Sequence, residues 1–342
     1  MNSQTYDLVT STCSITADEP VHTMMAHYLS AFHAPEPAEA DIALTLNYDR
    51  IARPRRAVSA TPPIEVRHSH PDQRYQVWAT EDHDVLIPER ESDHVITVRG
   101  DHITVSTERE KVAATIGVRV VRQLIMRGGE ARGGRSVHAG AVVVGGHGVL
   151  IGGQAGAGKT SVLTRLVEDH GAAALSNDRT MVVPADTGTW CAVGVPLAWR
   201  FTPEGIGGSP RLTETLAHRT PRRGSGMIDG KVELTPLEVS QILDSPATPT
   251  IPITHVVVLM RSPDVRPETP SARFLRRHMD FAAADFFADD WLGIRPHLPK
   301  TTVSQADPDS WWAKLASLPV HVVTWDDPAE LARVADAVAR GQ

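Results

Sequence analysis

Residues 153–160 read Gly-Gln-Ala-Gly-Ala-Gly-Lys-Thr, a full match to G-x-x-x-x-G-K-[ST]. The chemistry such a segment suits is phosphate binding. Glycines let successive backbone N–H groups turn inward around an anion, where a Cβ would collide. Lys159 reaches terminal phosphates, and the Thr160 hydroxyl can ligate Mg2+. A helix opening at the lysine adds the positive end of its dipole. Gly153, Gln154, Ala155, Gly156, Ala157, Gly158, Lys159, Thr160 and Ser161 are therefore candidate nucleotide contacts, with ATP and Mg2+ as the implied cofactors. The apolar run Val149-Leu150-Ile151 precedes the loop, and Val162, Leu163, Leu166 and Val167 follow it. A strand before and a helix after argue against the plainer alternative, a glycine turn that merely contains Lys-Thr.

The next chemistry-bearing segment is "AAALSNDR", an apolar strand ending in Ser176-Asn177-Asp178-Arg179. Ligands of open α/β sheets gather at the carboxyl ends of strands, which places Asp178 toward the loop. Its carboxylate can hold Mg2+ or accept a proton from an attacking hydroxyl. Asn177 can hydrogen-bond a phosphate, water or substrate but can neither take a proton nor add charge to a metal site. A surface turn with Asp178 paired to Arg179 is the alternative. His138, in "SVHAG", sits on the strand before the loop, where a lone histidine is more often a core residue.

Together "VHAGAVVVGGHGVLIGG", "QAGAGKTS" and "GAAALSNDR" resemble the HPr kinase/phosphorylase family and its relatives among lasso-peptide precursor kinases. The resemblance covers roughly residues 134–201. It implies a phosphoenolpyruvate-carboxykinase-like P-loop core and ATP-dependent transfer of phosphate to an alcohol. Within it His138 matches the family histidine near the active site, and Lys159 and Thr160 match the loop lysine and the Mg2+-binding hydroxyl. Asn177 and Asp178 fall on the family's paired aspartates, so the first acid is replaced and the second kept. The glycine-rich C-terminal signature of the family is absent, which argues against HPr as the acceptor.

These residues need elements to position them. From residue 136 the pattern is α/β: strands at 137–144 and 148–153, a helix at 159–169, the strand ending at Ser176, and strands at 196–201, 253–261 and 319–325. A closing helix spans 327–340 with Asp327 as its N-cap. Residues 203–236 read as one long loop. Within it Arg219, Arg222, Arg223 and Lys231 can close over ATP or grip an acidic acceptor, or can be a solvated basic stretch. Arg200 is a further candidate for the γ-phosphate. "DFFADDWLG" (285–293) is a lid, a docking segment, or a helix packed by Phe286, Phe287 and Trp291.

Residues 36–109 are β-rich, with strands at 41–46, 75–80, 84–89, 94–100 and 102–107, and 53–63 is a proline-rich loop. Residues 1–35 are weakly patterned apart from a short helix over 21–32. Val112, Ile116, Val120 and Leu124 mark a helix with Thr107 as N-cap and Gly128-Gly129 as its end. The boundary near residue 130 gives a β-rich α+β domain (1–130), suited to acceptor recognition, and a P-loop kinase domain (131–342).

The bulk numbers exclude other classes. The chain has 342 residues, 34 basic against 41 acidic, for a net charge of −7. With aromatics at 5%, it lacks the profile of a nucleic-acid binder. The two cysteines, Cys13 and Cys191, form no framework and fit a reducing cytoplasm. Residues 1–20 lack the basic and apolar regions of a signal peptide, so none is expected, and no apolar run is long enough for a bilayer. Among the 16 histidines only His68 and His70 sit close, with no third metal ligand near them. The expected partner is a hydroxyl acceptor on a peptide, protein or small molecule, and a homo-oligomer is open. The rivals are a small-molecule alcohol kinase of the same fold, a nucleotide-sensing module without catalysis, and a plain P-loop ATPase. The last lacks a Walker B run ending in Asp-Glu.

Overall fold

In the computed structural model, residues 1–33, 39–47, 62–70, 73–90, 93–185, 188–217, 227–228, 230–261, 269–281, 289–298 and 307–341 are described. The chain is mixed α/β and divides into two compact units. The first comprises Met1–Arg132 with Phe281–Val303, and the second Gly133–Asp280 with Ser304–Gln342. The return of 281–303 to the first unit is a feature that a single linear boundary near 130 could not contain.

The first unit is built on β1 (Asn2–Asp7), β2 (Thr12–Ala17), β3 (Ile42–Asn47), β4 (Glu65–His70), β5 (Gln73–Ala79), β6 (Asp84–Pro88), β7 (His94–Arg99) and β8 (His102–Thr107). They form one sheet in the order β1-β2-β3-β8-β7-β6-β5-β4. Residues 1–17, weakly patterned in sequence, thus supply two strands, because the polar run Asn-Ser-Gln-Thr sits at a sheet edge where little apolar surface is needed. Strict alternation in β2 and β3 buries Cys13, Ile15, Ile42, Leu44 and Leu46 on one face. Helices α1 (Glu19–Leu29) and α2 (Glu110–Ala131) pack against each other, and α2 also contacts β3 and β8. Gly117 of α2 lies where they meet, since a Cβ there would stand 2.8 Å from Leu46 Cδ1 and 3.0 Å from Met25 Cε.

Two expectations about α2 change. Its N-cap is Arg109, without a side-chain cap bond, because Thr107 is the last residue of β8 and its hydroxyl donates to the Asp93 carbonyl. Gly128-Gly129 does not end the helix, which runs on to Ala131. Gly128 instead allows close approach: a Cβ there would lie 2.8 Å from the Thr10 carbonyl oxygen.

The second unit carries β9 (Arg135–Val137), β10 (Ala139–Val144), β11 (His147–Gly152), α3 (Lys159–His170), β12 (Ala173–Ser176), β13 (Thr180–Pro184), β14 (Trp190–Gly194) and β15 (Trp199–Phe201). After them come α4 (Pro203–Gly207), α5 (Pro210–Ala217), β16 (Met227–Ile228), β17 (Lys231–Leu234), α6 (Pro236–Leu243), β18 (Thr250–Ile253) and β19 (His255–Met260). The chain closes with α7 (Ala272–Met279), α8 (Pro308–Leu315), β20 (Val320–Thr324) and α9 (Leu331–Ala339). Among the described residues of 203–236, the expected long loop is instead two helices and two strands of a small sheet. Thr202 caps α4 by accepting from Gly205, and Thr235 with Glu238 forms a capping box on α6. At the C-terminus Asp327 accepts from Ala329 at a short 3-10 turn before α9.

The sheet that carries the glycine loop runs β12-β10-β11-β19-β20. Its alternation splits two cores. Val142, Val144, Val149 and Ile151 face α3 and α9, while Ala139, Ala141 and Leu150 face α7, α8 and the second sheet, β18-β14-β13-β9. The strand expected over 137–144 is two strands in these two sheets, with the break at His138. No helix among the described residues is long and apolar enough to cross a membrane.

Candidate active site

Strand directions decide what the sheet edge collects. β10 is antiparallel to both β11 and β12, so those two run the same way. β19 is parallel to β11, and β20 to β19. The carboxyl ends of β12, β11, β19 and β20 therefore share one edge with the amino end of β10. Along it stand Asp178 after β12, His138 before β10, the glycine loop after β11, Arg261 after β19 and Trp325 after β20.

The loop backbone is bent as its sequence requires. Gly153, Gly156 and Gly158 have φ of +143°, +82° and +91°, values that L side chains rarely adopt. At Gly158 space forbids a side chain as well, because a Cβ would lie 2.2 Å from Trp325 Cζ2. Trp325 also donates from Nε1 to the Ala157 carbonyl at 3.0 Å, bracing the loop. Gln154, Ala155 and Gly156 are exposed, and Ala157 is buried. Lys159, 7% exposed, donates from Nζ to the Gly153 carbonyl at 2.8 Å and to that of Gln154 at 3.4 Å. Burial pulls its pKa below the usual lysine value, and the negative charge of Asp178 opposes that shift. Thr160 and Ser161 are half-buried in the first turn of α3. A Cβ on Gly205 would come within 3.7 Å of Ser161 Oγ, so α4 lies beside that turn.

Asp178 sits in a cationic setting. Its Oδ1 is 3.0 Å from His138 Nε2, and its Oδ2 is 3.5 Å from Arg179 Nε. Burial alone would raise its pKa. The His138 hydrogen bond, together with the positive charges of His138, Arg179 and Lys159, overrides burial and holds the carboxyl at about 2. The break between β9 and β10 makes this geometry: the His138 N–H leaves the ladder and donates to the Met279 carbonyl at 2.7 Å. Below the turn, Thr180 Oγ1 donates to the Ala139 carbonyl at 2.8 Å and lies 2.5 Å from Ser176 Oγ, tying β12 to β10. Asn177 is 4% exposed.

His138, Lys159 and Asp178 are thus gathered with the loop. Arg200 is not: it lies on the exposed face of β15 with Nε 2.7 Å from Glu233 Oε1, so a salt bridge on the small sheet occupies it. Lys231 is exposed on β17. Arg219, Arg222, Arg223, Phe286 and Phe287 lie outside the described residues. Trp291 belongs to the first unit, where it stacks on Tyr75 at 5.2 Å.

The residues missed in the sequence are Arg261 and Trp325. Each directly follows a strand, β19 or β20, so the rule that ligands gather at strand ends was the available signal. Arg261 Cζ stands 5.2 Å from the Trp325 ring centroid. Among the described residues no group of three or more His, Cys, Asp or Glu side chains forms a metal cage.

No protein-family model matches the chain, and no curated protein does. Among solved structures it aligns with the Hpr(Ser) kinase/phosphatase from Coxiella burnetii at 18% identity. That alignment covers 40% of this chain and 71% of the other, with a TM-score of 0.26. At such a score the function rests on the site's own geometry.

Proposed function

We propose that the chain is an ATP- and Mg2+-dependent kinase that transfers the γ-phosphate to a hydroxyl, a serine or threonine of a peptide or protein. The observation that supports this reading is the ionised Asp178 standing beside His138 on the same strand edge as Lys159 and the glycine loop. The backbone N–H groups of 154–160 take the β- and γ-phosphates. Lys159 exchanges its loop carbonyls for phosphate oxygens, which are stronger charge-assisted acceptors. Mg2+ needs few protein ligands when phosphates and water complete its shell, and the Thr160 hydroxyl and Asp178 carboxylate fit that need. Bound there, it supplies charge neutralisation at the transferring phosphate.

The proton of the acceptor hydroxyl passes to Asp178 as the new O–P bond forms and the bond to the leaving diphosphate breaks. A carboxylate with a pKa near 2 is a weak base. That suffices for a loose transition state, in which the hydroxyl becomes acidic late and positioning does most of the work. His138, donating from Nε2, keeps Asp178 ionised and aimed. Asn177 orients the acceptor or a phosphate oxygen. Acceptor recognition is assigned to the first unit.

The test is mass spectrometry of candidate peptides and small alcohols incubated with the full chain, ATP and Mg2+. A phosphorylated serine or threonine is expected, absent with Asp178→Asn. Tight ATP binding with no acceptor modified, unchanged by that substitution, would leave a nucleotide sensor instead.

A further inference from the structure

The strand order separates the two ends of a bound nucleotide. β12 and β10 lie on one side of β11, and β19 and β20 on the other. Asp178 and His138 therefore stand to one side of the loop, and Arg261 and Trp325 to the other. In-line transfer puts the attacking hydroxyl and the leaving diphosphate on opposite sides of the γ-phosphorus. An acceptor beside Asp178 thus directs the diphosphate, and the nucleoside attached to it, toward the ends of β19 and β20.

The groups waiting there are layered. Trp325 is 5% exposed and held by its hydrogen bond to Ala157, so its ring is fixed. Arg261 is exposed, with its guanidinium over that ring at cation–π distance. Among the described residues it makes no hydrogen bond or ion pair. A guanidinium is planar and stacks on aromatic faces, and resting on a fixed indole reduces the ordering cost of stacking again. The charge of Glu204, at the start of α4, bears on the choice between a base and a phosphate as the ligand. Its carboxyl is held low by its own backbone N–H first, then by Thr202, and also by the charge of Arg261. A carboxylate within electrostatic reach of Arg261 repels a phosphate and tolerates a neutral base.

We propose that Arg261, seated on Trp325, is the base-stacking residue of the site, taking the purine of ATP on the guanidinium to give a Trp–Arg–purine stack. This rests on the nucleotide-binding reading above. It makes Arg261 a specificity residue for a nucleotide over a bare polyphosphate.

The experiment is equilibrium binding of ATP and of inorganic tripolyphosphate to the full-length chain and to its Arg261→Ala and Arg261→Lys variants. Arg261 is exposed, so both variants are expected to fold, and thermal melts check this. Both substitutions are expected to weaken ATP about tenfold and leave tripolyphosphate unchanged, since lysine keeps the charge but not the plane. Equal losses for both ligands in Arg261→Ala, restored by Arg261→Lys, would make Arg261 a phosphate contact and overturn the proposal. So would unchanged binding of both. Either result leaves nucleotide binding standing, whereas a wild-type chain that binds neither ligand removes that reading and this one together.

Discussion

Asp178 carries the heaviest burden at the residue scale, and its surroundings set how it behaves. His138, Arg179 and Lys159 all act on one half-exposed carboxylate. Asp178→Asn removes the charge while keeping the shape, so phosphate transfer should fall by about 100-fold or more with ATP still bound. Asn177→Asp should retain turnover, because the remaining acid is untouched. Steady-state transfer assays on the two variants check both. The pH dependence follows from the depressed pKa. A carboxyl lowered on folding adds stability that is fully present above its unfolded pKa, about 3.9, and is lost as pH falls toward 2. Between pH 5 and 9 Asp178 stays ionised, so an inflection of kcat in that window must come from another group. The two thiols also differ. Burial, with Asp41 nearby, pushes Cys13 up to about 12, and burial raises the half-buried Cys191 less. Thiol reagents at pH 8 should therefore modify Cys191 in the native chain and reach Cys13 only on unfolding.

At the scale of elements, two glycines show different constraints, one as read from sequence and one not. Gly158 combines a positive φ with a Trp325 ring where its Cβ would stand. Gly158→Ala should abolish nucleotide binding in a titration while the far-UV circular dichroism stays native. Gly128 looked like a helix stop, yet it lies inside α2 and leaves room for the Thr10 carbonyl. Gly128→Ala gains helix propensity and loses that space. Overpacking against backbone should win, lowering stability by about 1–3 kcal/mol in urea denaturation. A gain in stability would show that α2 shifts to accommodate the methyl.

At the scale of the whole molecule the return of residues 281–303 to the first unit is the main consequence. Trp291 is 2% exposed and stacked on Tyr75, and Arg295 pairs with Glu130 at 3.0 Å. Trp291→Ala should destabilise the first unit by about 3–5 kcal/mol, seen as an earlier transition in calorimetry. ATP, bound in the second unit under the reading above, should raise the transition of that unit and leave the earlier one in place.

Residues 153–160 were legible as a glycine-bent loop between a strand and a helix, because positive φ angles at Gly153, Gly156 and Gly158 demand that residue type. The strands flanking the loop were legible from their apolar runs, as were the helix after it and the strand end at Asp178. Tertiary structure alone decided which residues share that edge. His138 reaches Asp178 because one apolar run breaks between two sheets, and nothing in its period marks the break. Trp325 reaches the loop, and Arg261 sits over its ring, because β19 and β20 add in parallel beside β11, a pairing set by long-range burial rather than by neighbouring residues. Arg200 is taken by Glu233 for the same reason, since the partner of a strand is chosen by the fold and not by the strand.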